Sequence, residues 1–330
     1  MEVGDDWVPC FPEFPNITCW IPPPALAETL LIDITLYSIS VLTASLNLLI
    51  IISVSHFRQL YTPTNILLLS LAVSDFLVGL LVMPVETLQT AHCWFFGHLL
   101  CSLHRFVSNI TNSASVVNMV LISVDRYVAI CDPLHYTTRI TVNRVRVCVC
   151  LLWFCSVVYN SYYFNLHLNQ QEEDIYYCYG YCGSLADNTA ADLQLVLNFI
   201  VPVTTIIVLY TRVFVVAVSQ ARAMRSHITA VTKQSSVTKT AKKSELKAAR
   251  TLGVLVVVFL MCFMPNYFVT FGGHESMSLS TQYFIMYLYF FNSCLNPVVY
   301  ALFYPWFRRT VKHIVTLQIL QPGSCEANIL

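Results

Sequence analysis

The sequence predicts an all-α membrane protein, a bundle of seven transmembrane helices followed by a short amphipathic eighth helix. Three observations predict it. Of the 330 residues, 56% are hydrophobic and only 11% charged, with mean hydropathy +0.63, which leaves too little polar surface to cover a soluble domain. Apolar runs long enough to cross a ~30 Å hydrocarbon core recur near 31–54, 64–87, 98–130, 145–166, 191–218, 247–271 and 281–303. Finally, every Lys and Arg except Arg105 lies in or beside 55–63, 126–146, 212–250 and 304–313, which are alternate connections plus the tail. The positive-inside rule puts these segments in the cytoplasm and the N-terminus outside a plasma membrane that the chain crosses repeatedly.

The elements divide into an outer segment 1–30, a bundle 31–303 and a cytoplasmic part 304–330. Residues 1–30 contain five acidic residues and no Lys or Arg, so they lack the basic start of a cleavable signal peptide and the first span serves as a signal anchor. Six cysteines, Cys10, Cys19, Cys93, Cys101, Cys178 and Cys182, lie on the outer side, an even set in an oxidising compartment where at least two bridges are expected. Asn16-Ile17-Thr18 is an outer glycosylation sequon, whereas Asn109-Ile110-Thr111 sits within a span, out of reach of the modifying enzyme. After Tyr304, basic and apolar residues alternate at helical spacing through Ile314, as on a helix lying against membrane lipid, and a free tail is expected from about Gln318. Zero formal net charge argues against a nucleic-acid partner.

Polar residues inside the spans carry the functional signal, because an ionisable group at the bilayer centre costs ~2.5–3.5 kcal/mol on insertion scales. Asp75 is mid-span, with Asn47, Ser115, Asn292, Ser293 and Asn296 at similar depth elsewhere; together they can hold a sodium ion or a water cluster. On the third span Ser108, Asn112, Ser115, Met119, Ile122 and Arg126 follow steps of four and three and line one face. That face runs from a polar outer end to Asp125-Arg126-Tyr127 at the cytoplasmic end, facing Glu245 at the start of the sixth span. Alone, Asp125-Arg126 reads as an interfacial salt bridge worth at most ~1 kcal/mol when solvated. The other markers reverse that reading. A seven-span transporter or light-driven pump would need a midplane chain of ionisable groups or a lysine in the last span, and the last span has no Lys. The nine His residues scatter over outer loops, span ends and inner segments, which argues against an intramembrane enzyme.

The ordered set Asn47, Leu71-Ala72-Val73-Ser74-Asp75, Cys101, Asp125-Arg126-Tyr127, Trp153, Pro202, Tyr210, Pro265 and Asn296-Pro297-Val298-Val299-Tyr300 resembles the rhodopsin-like G-protein-coupled receptors, span by span over 31–316. Within that class, Asn292-Ser293-Cys294-Leu295-Asn296-Pro297-Val298-Val299-Tyr300-Ala301-Leu302-Phe303-Tyr304-Pro305-Trp306-Phe307 looks like the fingerprint of trace amine-associated receptors. The inner stretches 218–227 and 241–250 are similar to the fish-type branch of that family. The resemblance implies a receptor for a small organic odorant, acting through a heterotrimeric G protein of the stimulatory type and cyclic AMP. It further implies a Cys101–Cys182 bridge and one from Cys178 to Cys10 or Cys19. On activation Arg126 would leave Glu245 while Tyr210 and Tyr300 swing inward, in a bundle whose two states the ligand biases.

The chain departs from that pattern where amine-binding relatives hold the ligand. Ser108 stands where they carry an Asp on the third span, and Phe290 where they often carry a Tyr that steadies it. An ammonium buried there would lack a counter-ion and retain a desolvation cost of several kcal/mol. Fish relatives often move the carboxylate to the fifth span, but Gln194 occupies that place, and Asp192 is two residues and about 200° round the helix. Glu86 near the outer end of the second span is the other candidate counter-ion, with an outer surface charge as the plainer reading. Arg105 can take a ligand carboxylate or pair with the acidic outer loop. Phe263, before Met264-Pro265, lies below the cavity, where the proline kinks the helix, and Tyr267, Tyr287 and Tyr289 continue an aromatic wall. The expected ligand contacts are therefore Arg105, Ser108, Asn109, Asn112, Gln194, Phe263, Tyr267, Met286 and Phe290, and the ligand is an amine by inheritance or a zwitterionic, anionic or neutral molecule.

Overall fold

The computed structural model describes residues 8–13, 18–21, 26–91, 93–169, 180, 182, 188–228, 253–254, 256–269 and 279–329. The first span is α1 (Leu26–His56). The second joins α2 (Pro63–Leu77) and α3 (Met83–Ala91) through a wide turn at Val78–Val82. The third is α4 (Gly97–Cys131), and after a short inner-loop helix, α5 (Tyr136–Arg139), comes the fourth, α6 (Val142–Asn169). The fifth joins α7 (Asn188–Leu195) to α8 (Val201–Ile228) through a second wide turn at Val196–Ile200. The sixth is α9 (Val256–Val269), the seventh α10 (Leu279–Phe303), and α11 (Pro305–Val315) follows. Among the described residues six helices are long and apolar enough to span a membrane, and α9 is a shorter apolar one.

Each wide turn has a cause in the sequence. Pro84 and Pro202 lack an N–H, and in a regular helix their rings would meet the carbonyl four residues earlier, which is Leu80 or Asn198. Both residues fall inside the widened turns, where π geometry relieves the clash. Carbonyls around these prolines and around Pro297 have no water to bond in hydrocarbon, so neighbouring helices supply donors. Ser40 donates to the Gly79 carbonyl at 2.6 Å, Tyr267 to that of Asn198 at 3.5 Å, and Asn47 to that of Ser293, four residues before Pro297, at 3.0 Å. The prolines thus tie α1 to the second span and to α10, and α9 to the fifth span.

The bundle packs around α4, which contacts α2, α6 and α8. Its centre holds Leu68, Leu71, Val116, Met119, Ile122, Ile206, Phe259 and Tyr300, all nearly inaccessible. Leu151, Phe154, Val158, Val208, Phe214 and Val215 point outward, as apolar residues facing lipid do. At the outer end β1 (Val8–Pro9) and β2 (Trp20–Ile21) form a two-residue antiparallel pair. Cys10, next to it, is bonded to Cys93 at a Cα–Cα distance of 5.6 Å. Gly180 has φ +105°, and a Cβ there would lie 2.6 Å from the Cys10 Cβ, so only glycine lets the outer loop meet the N-terminal segment.

The expected free tail is not what the inner face shows. Ile329 is fully buried against Phe57, Leu60, Trp306 and Phe307. His56 meets Ser324 at 2.9 Å, Arg58 pairs with Glu326 at 3.3 Å, and Gln59 and Arg309 bond the Ile329 backbone, each at 3.2 Å. A polar count along 318–330 hides this contact, because one apolar side chain and a few backbone bonds carry it. The amphipathic α11 does form, burying Trp306, Phe307 and Thr310, the last bonded to Ser53 at 2.9 Å.

Gly79 marks the tightest approach of the first two spans, since a Cβ there would sit 2.7 Å from the Ala44 backbone nitrogen. We expect Gly79→Ala to cost about 1–3 kcal/mol through overpacking, read as a lower melting temperature of the detergent-solubilised chain. An unchanged melting temperature would contradict the close approach.

Candidate functional site

A cavity in the outer half of the bundle is lined by Val78, Ser108, Thr111, Asn112, Ser115, Phe263, Tyr289, Phe290 and Ser293. Four of the expected ligand contacts, Ser108, Asn112, Phe263 and Phe290, line it. Val78, Thr111 and Tyr289 complete the wall, and Phe263 lies against Tyr289 with ring centroids 4.5 Å apart. The free space is on the order of one water molecule, so an organic ligand has to part these side chains.

The remaining expected contacts are placed otherwise. Tyr267 is buried and stacked on Phe199 at 4.2 Å. Met286 packs against a cluster of Val78, Val82, Met83 and Phe290. Asn109 and Gln194 are half-buried away from the cavity lining, and Asp192 is exposed on α7. Glu86 is 8% exposed and its Oε1 lies 3.1 Å from His104 Nε2. This buried carboxylate, which joins α3 to α4, is therefore not a surface charge and has a partner already. Sequence reading did not find His104. Arg105, on the next residue of α4, has a buried Nε with no hydrogen-bond partner, and among the described residues no carboxylate is in ion-pair contact with it.

Two of the lining residues, Ser115 and Ser293, reach the fully buried Asp75. Ser293 donates to its Oδ1 at 2.8 Å, Asn296 to its Oδ2 at 2.7 Å, and Ser115 approaches Oδ1 at 3.4 Å while bonding Ser74 at 3.0 Å. Ser115 and Ser293 thus belong to the cavity wall and to the Asp75 cluster together. Asn292 is buried in the same helix, and its Oδ1 and that of Asn296 lack partners.

At the cytoplasmic end of α4, Arg126 is bonded to its neighbour Asp125 and, at 2.5 Å, to Thr64. Asp125 also accepts from the Thr64 hydroxyl at 2.9 Å and from the Tyr136 hydroxyl at 2.8 Å. Burial first, and then the Asp125 carboxylate, raises the Tyr136 phenol above its ordinary pKa, so it remains a donor. Tyr127 packs beside Ile130 and Val213, while the buried hydroxyls of Tyr210, Tyr300 and Tyr304 have no partner. Glu245 lies outside the described residues, as do Cys178 and Asn16.

Cys101 is bonded to Cys182, again with Cα atoms 5.6 Å apart. The alternative in which Cys10 serves Cys178 is corrected, because Cys10 is bonded to Cys93. Cys19 is also disulfide-bonded. The β1–β2 pairing brings the N-terminal segment back on itself, and number and spacing of cysteines alone do not encode that.

Seven apolar spans surround a cavity, a buried arginine sits at the inner end of the third, and residues 46–300 match the 7 transmembrane receptor (rhodopsin family), which makes the chain a membrane receptor that couples to G proteins. The chain is 37% identical to trace amine-associated receptor 13c of Danio rerio over 335 aligned residues, covering 97% of this chain and 95% of that protein. It is 36% identical to trace amine-associated receptor 1 of Mus musculus, covering 86% and 88%, and 37% identical to trace amine-associated receptor 9 of Homo sapiens, covering 88% and 86%. The chain belongs to the trace amine-associated receptor family of rhodopsin-like receptors. It is a multi-pass plasma-membrane receptor for a small molecule, not an enzyme.

Tyr136→Phe removes a donor from Asp125 and loosens the group that holds Arg126. A hydrogen bond to a charged group contributes about 1.5–3 kcal/mol, and each 1.4 kcal/mol is about tenfold in an equilibrium. Ligand-free G-protein activation is expected to rise in Tyr136→Phe and in Thr64→Ala. Basal signalling equal to that of the parent chain in both would show that these bonds do not restrain the switch.

Proposed function

We propose that this receptor is chemosensory, of the olfactory type, and that it answers a small organic odorant by activating a stimulatory G protein and raising cyclic AMP. The observation that carries the reading is the single face of α4, which reaches from Ser108 and Asn112 in the cavity to Arg126 at the cytoplasmic end. A ligand that moves this helix acts on both ends of the signal at once. Ligand contacts come from the outer part of that face together with Phe263 and Phe290, and the switch comprises Asp125, Arg126, Tyr127, Tyr210, Asn296, Pro297 and Tyr300, with Glu245 as the resting partner of Arg126. The N-terminal side, with its disulfides and the Asn16 sequon, faces outward.

Asp75 is a fitting place for a sodium ion. Its carboxylate, the Ser115 and Ser293 hydroxyls and the unpartnered amide oxygens of Asn292 and Asn296 are hard oxygen donors of the kind such a cation takes. A second reading of the ligand is favoured by Ser108: the relatives are named for trace amines, but among the described residues no carboxylate lines this cavity. A zwitterionic, anionic or neutral odorant with little amine response fits that wall.

Cyclic AMP in cells expressing the surface-tagged chain, challenged with monoamines, diamines, amino acids and carboxylic acids, tests the proposal. We expect a ligand-driven rise that disappears in Arg126→Ala at equal surface expression. A ligand response carried by another second messenger would overturn the stimulatory coupling.

A further inference from the structure

This inference rests on the receptor reading above and names the ligand class of the same cavity. Buried polar atoms in native structures have partners almost without fail, so an orphan at a cavity wall marks where a partner comes from outside. The outer half of α4 carries two orphan atoms of opposite kind: the Arg105 Nε, a charged donor one turn outside the cavity lining, and the Oδ1 of the lining residue Asn112, a neutral acceptor on a side chain that also meets Tyr267. They are seven residues apart on one face, with Ser108 between, which is roughly 10 Å along the helix axis. Among the described residues the outer end therefore has a guanidinium nitrogen that Glu86, within electrostatic reach, does not bond, and the inner end an amide oxygen that no N–H or O–H meets.

The carboxylate that might have answered Arg105, or an ammonium ligand, is already engaged. Glu86 is buried against His104 at 3.1 Å, and moving it to a ligand would strand the histidine in a dry site. An ammonium placed at Ser108 finds no counter-charge in the cavity lining. We propose that the receptor binds a carboxylate-bearing ligand whose acid group is held by Arg105, and whose far end donates a hydrogen bond to Asn112. Between those ends the ligand body is apolar or aromatic, because Phe263, Tyr289 and Phe290 form the opposing wall. A guanidinium suits this task, since its planar fork meets a carboxylate with two parallel bonds.

Three molecules with one aromatic frame separate the charges: 3-(4-hydroxyphenyl)propanoate, 3-phenylpropanoate and tyramine. Thermal shift of the purified full chain in detergent reads binding without any G protein, so a failure of stimulatory coupling in the cyclic AMP assay is scored separately. The hydroxylated acid is expected to raise the melting temperature most, the plain acid less, and tyramine not at all. Arg105→Gln should weaken the acids about 10- to 100-fold, as loss of a charge-assisted pair does, while Arg105→Lys keeps part of the effect. Asn112→Ala should make the two acids equal, and together with Arg105→Lys it carries the test if Arg105→Gln does not fold. Stabilisation by tyramine that matches the acids, acid binding indifferent to residue 105, or no stabilisation by either acid would each overturn the proposal.

Discussion

Every backbone and side-chain polar group inside the hydrocarbon must find its partner within the protein, and the rest of this structure depends on that constraint. Regular helix meets it locally, but prolines within the spans break the local solution. The carbonyls near Pro84, Pro202 and Pro297 are then met by Ser40, Tyr267 and Asn47 from other helices. Interhelical bonds of this sort are individually modest, about 0.6 kcal/mol on average by double-mutant cycles in a membrane bundle. Their importance is geometric: each fixes the rotation of one helix against another at the depth where the cavity and the Asp75 cluster lie.

The same constraint links the cavity to the switch. Ser115 and Ser293 cannot both be emptied of hydrogen bonds, and both spend theirs on Asp75 while forming the cavity wall. A ligand that shifts either serine changes the environment of a buried carboxylate. That carboxylate also holds Asn296, beside Pro297 and one turn before Tyr300. From the cavity wall toward the cytoplasmic tyrosines the contacts therefore run through Ser115, Ser293, Asp75 and Asn296.

The spans, the periodic face of α4 and the Asp75 group were legible in the sequence, because hydropathy and a 3.6-residue period report them directly. Ser108 and Asn112 were legible as cavity residues from that period, and Phe263 and Phe290 from the resemblance to the receptor family. The Glu86–His104 pair was not. Between Asp75 and Glu86 the wide turn at Val78–Val82 adds a residue to the helical repeat and rotates everything beyond it. Pro84 was the available signal. The Cys10–Cys93 bridge and the Tyr136–Asp125 bond join segments whose meeting depends on loop paths, which neither spacing nor composition encodes.

The buried Ile329 gives the inner face an asymmetry of a mechanical kind. With the tail wedged between the first inner loop and α11, and Ser53 bonded to Thr310, α1, the start of α2, α11 and residues 324–329 form a stator. Near the Arg126 end of α4, Tyr210 of α8, Tyr300 of α10 and Tyr304 just before α11 carry buried hydroxyls with no partner among the described residues, a set of loosely engaged teeth. In the receptor reading proposed above, the work of opening a cytoplasmic cleft falls on these loosely held residues, and the frame of α1, the start of α2 and α11 gives that motion its direction.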